Sequence, residues 1–327
     1  MLKVLATLTL FGSLLISQTL SSTLTQRGGE HNALFLNPTY LSYKPQKDTI
    51  EADIINTSLI IDNQSLDFIK ALNQVDNNRD ISKLLKENIG ETLTLSANNF
   101  SSIYQAKENI AWSIGIANSL DGYFITHSGF GSKRAMETSI EKNQALIGTA
   151  VLKQENLYYG LNLKLIKKSQ TVYNYAINEM ATQDSLWDYF DNSHTKKESA
   201  IGVDFGITYA LPLESFKSKL SFAILDIGNS SFKELKAEKQ STTLGLSIEP
   251  KDSHIKIDYF NNHLRADISK NFFNKKLELH SGIIYNALSL GINYKFSIFN
   301  IGLFTYKVKE YNSKKERKSE LSLAVLW

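Results

Sequence analysis

The sequence predicts an all-β chain, a transmembrane antiparallel up-and-down β-barrel of about 12–15 strands centred on about 14. Three observations predict it. Large apolar side chains recur on every second position over most of the chain, with polar or small residues between them, which is the period of a strand with one oily face. Short, Asn-containing connections separate successive stretches of this kind, as antiparallel hairpins require. An apolar leader opens the chain, no later apolar run is long enough for a membrane helix, and the last residues alternate through Leu321, Leu323, Val325 and Trp327. Chain ends usually bury little and fray, so an ending of this kind belongs to a strand that is held.

Taken in order, residues 1–22 have the layout of a secretory signal peptide: Met1-Leu2-Lys3 is a short basic start, Val4 to Ile16 is apolar, and cleavage is expected between Ser17 and Ser22. Residues 23–49 form a lead-in segment that precedes any strand. The barrel is assigned to residues 50–327, with strands within 50–60, 93–129, 141–178, 198–228, 240–309 and 317–327. Two stretches interrupt its period. From 64 to 91 the spacing becomes helical, through Leu66, Ile69 and Leu72 and then Ile81, Leu84, Leu85 and Ile89, joined by the polar run 76–80. This predicts a helical hairpin inserted between early strands, outside the barrel wall. Residues 180–197 read as a long loop in which Asp184 caps one helical turn. Its Trp187, Tyr189 and Phe190 either guard a hydrophobic ligand's entry or pack the loop onto the rim.

Composition narrows the function. A chain of 327 residues, 42% hydrophobic, with a formal charge of +3 and both signs interspersed, carries no nucleic-acid footprint. It has no Cys, which removes thiolate chemistry, disulfides and thiol-ligated zinc.

The direction of the oily face separates two architectures. A soluble sandwich would turn it inward, whereas a membrane barrel turns it toward lipid and keeps a polar interior. The leader, the strand number and the terminal aromatic favour the barrel, and its last strand must then pair with its first. The candidate lumen charges are Lys164, Asp204, Lys256, Asp258, Arg265, Asp267, Glu278 and Lys295, and His280 lies on the same face. Gly160, Gly202, Gly206, Gly282 and Gly291 share it, as suits a crowded interior. Tyr173, Tyr175, Tyr209, Tyr259, Phe260, Tyr285 and Tyr294 gather toward strand ends, where aromatic girdles are expected. No nucleophile elbow, zinc-protease motif or phosphate loop is present, and the six His are scattered. The chain is therefore expected to be no enzyme, with no catalytic residue, metal or cofactor.

Three short elements carry a family resemblance. Leu34-Phe35-Leu36-Asn37-Pro38 resembles the Phe-x-Asn-Pro-Ala element near the mature N-terminus of FadL-type outer-membrane proteins, with Thr39 where that family has Ala. Gly202-Val203-Asp204-Phe205-Gly206-Ile207-Thr208-Tyr209 is similar to a strand of the TraF-like group, and Leu225-Asp226-Ile227-Gly228-Asn229 to the loop that follows it. The superfamily also includes PorV-type secretion components. The resemblance implies that Asn37 and Pro38 lie inside the barrel as a plug, with Asn37 capping a turn. The ending Leu321, Leu323, Val325, Trp327 resembles the signal read by the barrel-assembly machinery. The expected location is the bacterial outer membrane, in contact with its lipid. The expected role is passage of a small molecule, hydrophobic ones included. A non-conducting scaffold for a secretion or surface-attachment partner is the alternative, and a secreted soluble sandwich a third.

Overall fold

The structure, a computed structural model, describes residues 37–43, 49–74, 78–127, 136–175, 195–213, 216–260, 263–284, 287–309 and 315–326. Fourteen strands close into one antiparallel barrel, each hydrogen-bonded to its sequence neighbours, with the first and last strands sealing the wall. They are β1 (Glu51–Asp62), β2 (Thr92–Ala106), β3 (Ile110–Thr126), β4 (Met136–Gln154), β5 (Leu157–Tyr175), β6 (Thr195–Leu211) and β7 (Lys217–Leu225). Next come β8 (Ser241–Glu249), β9 (Ser253–Phe260), β10 (His263–Phe272), β11 (Leu277–Ile284), β12 (Ala287–Phe296), β13 (Phe299–Lys309) and β14 (Lys315–Leu326). Closure gives β14 partners on both edges: Leu321 stands opposite Leu59 on β1 and opposite Leu303 on β13. The barrel thereby has no exposed edge to attract another chain.

The oily face points outward. Along β5, Leu161, Leu163 and Leu165 are 49%, 51% and 48% exposed, whereas the intervening Asn162 and Lys164 are 0% and 6% exposed. Successive side chains on a strand cannot share a face, so this inversion of the usual core is fixed around the ring. Ile201, Leu264, Ile268, Leu288, Leu303 and Leu321 stand outside, and Asp204, Arg265, Asp267, Asn293 and Glu320 stand inside. The two stacked sheets of a sandwich are not what forms. Leu161 sits at the centre of the outward apolar run Leu157–Leu165 of β5, and Leu161→Arg puts a charge where hydrocarbon is expected, at a cost of about 2–4 kcal/mol. A lower urea midpoint for folding into vesicles is the expected result, and an unchanged midpoint would contradict an outward lipid face.

The ends of the barrel differ. At the end holding Glu51 and Leu326 the connections are short: residues 107–109, 155–156, 250–252, 273–276 and 297–298. Non-Gly residues take the positive φ that these tight turns demand, among them Glu155, Asp252, Asn274 and Ser297. Exposed Phe216, Phe272, Phe296 and Phe299 lie at this end, from the start of β7 to β13. Of the aromatics expected in girdles, Tyr209, Tyr259 and Tyr294 face outward, but Phe260 is buried on the inner face, 4% exposed. Tyr259 and Phe260 are adjacent in one strand, so both cannot face lipid, and Phe260 lies beneath the Arg265 guanidinium, 5.2 Å from its ring centre. Tyr285 lies outside the described residues.

At the opposite end the strands lengthen. β4 and β5 each run 19 residues, well beyond the roughly 9–11 needed to cross the hydrocarbon. β6 begins at Thr195, opposite Thr171, so residues 195–197 continue the ladder instead of belonging to the long loop; residues 180–194 lie outside the described residues. Two helices, α1 (Asn63–Asn73) and α2 (Asn78–Glu87), follow β1 at this end. Asp62, 0% exposed, starts α1 by accepting from the Ser65 amide at 2.5 Å and the Ser65 hydroxyl at 2.6 Å, and it ties the cap to β2 through the Thr94 amide at 2.9 Å. After α2, Asn88 Nδ2 donates to the Leu84 carbonyl, and Gly90 at φ 75° turns the chain back toward β2.

Candidate functional site

A bare patch on the inner wall organises the interior. Gly160 on β5 and Gly206 on β6 are direct register partners, flanked by Val151 on β4 and Ala223 on β7. Removing two side chains from neighbouring strands leaves a shallow seat, and residues Asn37, Pro38 and Thr39 occupy it. A Cβ on Gly160 would stand 2.6 Å from the Thr39 amide nitrogen and 2.7 Å from Pro38 Cβ, and one on Gly206 would overlap the Asn37 side chain. Only glycine lets backbone approach backbone this closely.

Polar groups lock the segment in register. Asn37 Oδ1 accepts from the Thr39 amide at 3.0 Å and the Thr39 hydroxyl at 2.8 Å, closing a local turn that continues into the short 3-10 helix Pro38–Tyr43. Asn37 Nδ2 donates to the Phe222 carbonyl of the adjacent strand β7 at 3.3 Å. The Thr39 proton is committed to Asn37, so Thr208 of β6 donates to Thr39 Oγ1 at 2.6 Å. Tyr40 hydroxyl reaches Ser221 of β7 at 2.9 Å, and Leu41 is buried among Tyr104, Ala106, Ala111 and Val151. Asn37, Thr39 and Leu41 are each no more than 1% exposed.

One row further from the short-turn end, the wall carries a closed charge network. Lys164 Nζ on β5 is 2.7 Å from both Asp204 on β6 and Asp226 at the end of β7. Asp204 also accepts from Asn162 Nδ2 and from the Asp226 amide, each at 2.9 Å, and Ser230 donates to Asp226 at 2.8 Å. Gly202 makes room for this group, since a Cβ there would lie 2.8 Å from Lys164 Cε.

A second network lies on the far wall. Arg265 is the register partner of Asp258, and Lys256 that of Asp267. His280 stands between two carboxylates, with Nδ1 3.2 Å from Asp267 and Nε2 3.5 Å from Glu278. Phe304 packs edge-on to the His280 ring at 5.4 Å, a position open because Gly291 between them has no side chain. Lys295 is half-buried near the short-turn end of β12. All eight candidate lumen charges therefore face inward, but they form two separate groups, not one site. Ser269 donates to Glu278 at 2.7 Å instead of meeting His280, so no nucleophile and base are paired here. Among the described residues, no three His, Asp or Glu side chains converge as a metal cage.

Several participants were not singled out by sequence. Lys168 points inward, 2.9 Å from both Glu141 and Glu238, and Asp226 is the second carboxylate on Lys164. Strict alternation from Lys164 places Lys168 on the inner face, but its partners come from strands and loops that only the fold brings near. On β14, Leu321 and Leu323 face outward and Val325 is partly covered; Trp327 lies outside the described residues.

No protein-family model matches the chain, and no curated protein matches it. Solved structures do resemble it. The Pseudomonas putida toluene transporter TodX is 12% identical, over 90% of this chain and 92% of its own, with a TM-score of 0.54. A deltaS2S3 mutant of the TodX monoaromatic hydrocarbon channel is likewise 12% identical, over 91% and 94%, with a TM-score of 0.54. At this identity the likeness is one of fold: this chain and those channels share a closed β-barrel over nearly their whole lengths.

Proposed function

We propose that the protein is an outer-membrane barrel of the FadL type that passes a small apolar molecule, with Asn37, Pro38 and Thr39 as its plug. The observation that carries this reading is the glycine seat. Wall side chains fill a barrel of about 8 strands, whereas one of 14 leaves a lumen that something else must close. Here a segment preceding the barrel closes it, held by a handful of hydrogen bonds that a modest displacement would release. The outward apolar face supports the membrane location, and the likeness to hydrocarbon channels supports a small apolar cargo such as a monoaromatic. Leu321, Leu323, Val325 and Trp327 serve as the assembly signal in this reading, residues 1–22 as the export leader, and no catalytic role is assigned to the lumen charges.

A second reading, a non-conducting scaffold for a secretion partner, is favoured by the density of the interior, where Asn162, Asp204, Arg265 and Glu320 are each no more than 1% exposed. Planar bilayers separate the two. Reproducible openings, with uptake of a monoaromatic into vesicles containing the full chain, are expected for passage. Electrical silence, no uptake and a co-purifying partner would overturn it in favour of the scaffold.

A further inference from the structure

The register aligns the outer faces of β4, β5 and β6 into level rows. Leu146, Leu165 and Ile201 stand side by side as the last apolar row toward the long-loop end. The next row is Gln144, Lys167 and Ser199, and the one above it is Lys142, Ser169 and Lys197. On β5 the apolar positions run from Leu157 to Leu165, about the span that crosses the hydrocarbon, so the change to lysine falls where lipid headgroups begin. These two basic rows line a groove of about 510 Å³ in the wall.

Two of the lysines in this groove, Lys142 and Lys167, keep their charge without a carboxylate partner among the described residues. The neighbouring lysines have their own partners: Lys168 faces inward to Glu141 and Glu238, and Lys196 lies 2.7 Å from Glu234, whose carboxyl it holds below the ordinary value. Glu198, the one carboxylate-bearing residue in the lining of the groove, accepts from the Glu234 amide at 2.9 Å and the Leu235 amide at 3.4 Å.

We propose that this groove binds the phosphate of an acylated, phosphorylated lipid of the outer leaflet, with Lys142, Lys167 and Lys197 on the headgroup and the acyl chains lying over Leu146, Leu165 and Ile201. The juxtaposition is specific to this ligand class. A free anion would use the lysines but not the apolar rows directly beneath them, and an uncharged lipid would use the rows but not the lysines. Gln144, Ser169 and Ser199 supply hydrogen bonds to the oxygens that the ammonium groups leave unfilled. Long loops face the cell exterior in such barrels, which selects the outer leaflet.

The proposal rests on the membrane-barrel reading, so the test reports on both. Full-length protein in zwitterionic detergent is titrated with diphosphorylated lipid A and with the same lipid stripped of phosphate, and the barrel is checked by its migration before and after boiling. The diphosphorylated lipid is expected to bind and the stripped lipid to bind at least tenfold more weakly. K142Q/K167Q/K197Q is expected to lose about a hundredfold, from about fivefold per lysine. K196Q removes a charge outside the groove and is expected to bind within about twofold of wild type. Equal binding by the triple variant, equal binding of the stripped lipid, an equal loss in K196Q, or displacement by millimolar inorganic phosphate would each overturn the site while heat-modifiable migration leaves the barrel standing. Loss of that migration in the wild type would sink the barrel reading itself, and the site with it.

Discussion

Gly160→Leu opens the barrel. The new Cβ would lie 2.6 Å from the Thr39 nitrogen and 2.8 Å from the Pro38 carbonyl carbon, both backbone atoms that cannot rotate aside as a side chain could. The strand is tied to β4 and β6 along its length, whereas residues 37–41 are held by a few hydrogen bonds, so the segment and not the wall must give way. Overpacking of this kind costs about 1–3 kcal/mol, which lowers the seated population by about five- to hundredfold. Single-channel recordings should show open probability rising by that order, with unboiled migration unchanged. Gly148→Leu provides the contrast, because no atom lies within 4 Å of its Cβ position on the outer face of the neighbouring strand. It should conduct like wild type. A folded Gly160→Leu barrel with wild-type openings would remove residues 37–39 from the role of plug.

Lys164→Met produces the largest loss of stability. The substitution keeps the volume and removes the charge, leaving Asp204 and Asp226 facing one another at an inner wall where they are 1% and 4% exposed by side chain. Removing one member of a buried ionic group typically costs about 3–5 kcal/mol, because the remaining charge stays desolvated without compensation. The urea midpoint of the detergent-extracted barrel should fall accordingly. Neutralising the carboxylates as well, in Lys164→Met/Asp204→Asn/Asp226→Asn, should restore most of the loss, since the penalty lies in the uncompensated charge and not in the absent attraction. A single variant as stable as wild type would mean that this network holds nothing together. A triple variant no better than the single would place the cost in packing instead.

Both predictions depend on pairings that differ in how visible they are along the chain. The Gly160–Gly206 seat and the Lys164–Asp204 contact join neighbouring hairpin strands, and strand alternation had already put all four residues on one face. The contact of Lys164 with Asp226 spans three strands, and that of Asn37 with Phe222 links positions 185 apart. Local pattern carries no information on such distances. Lys167 and Lys168 show the same division within one dipeptide. Alternation splits them to opposite faces, but whether a face meets lipid or lumen depends on the direction in which the sheet curls.

The sequence by itself determined that the chain is built of strands, bracketed their number at about 12–15 and separated each into an oily and a polar face, because these follow from a two-residue period that each segment displays independently; the closed ring set the number at fourteen. It also marked the helical interruption between β1 and β2. Tertiary structure alone decided which ionised groups meet, that Phe260 turns inward under Arg265, that residues 195–197 extend a strand, and that Asn37 to Thr39 rest on paired glycines. These outcomes depend on the stagger at which fourteen strands close. Closure is a property of the whole ring, set by all the registers together, and no single stretch of the chain encodes it.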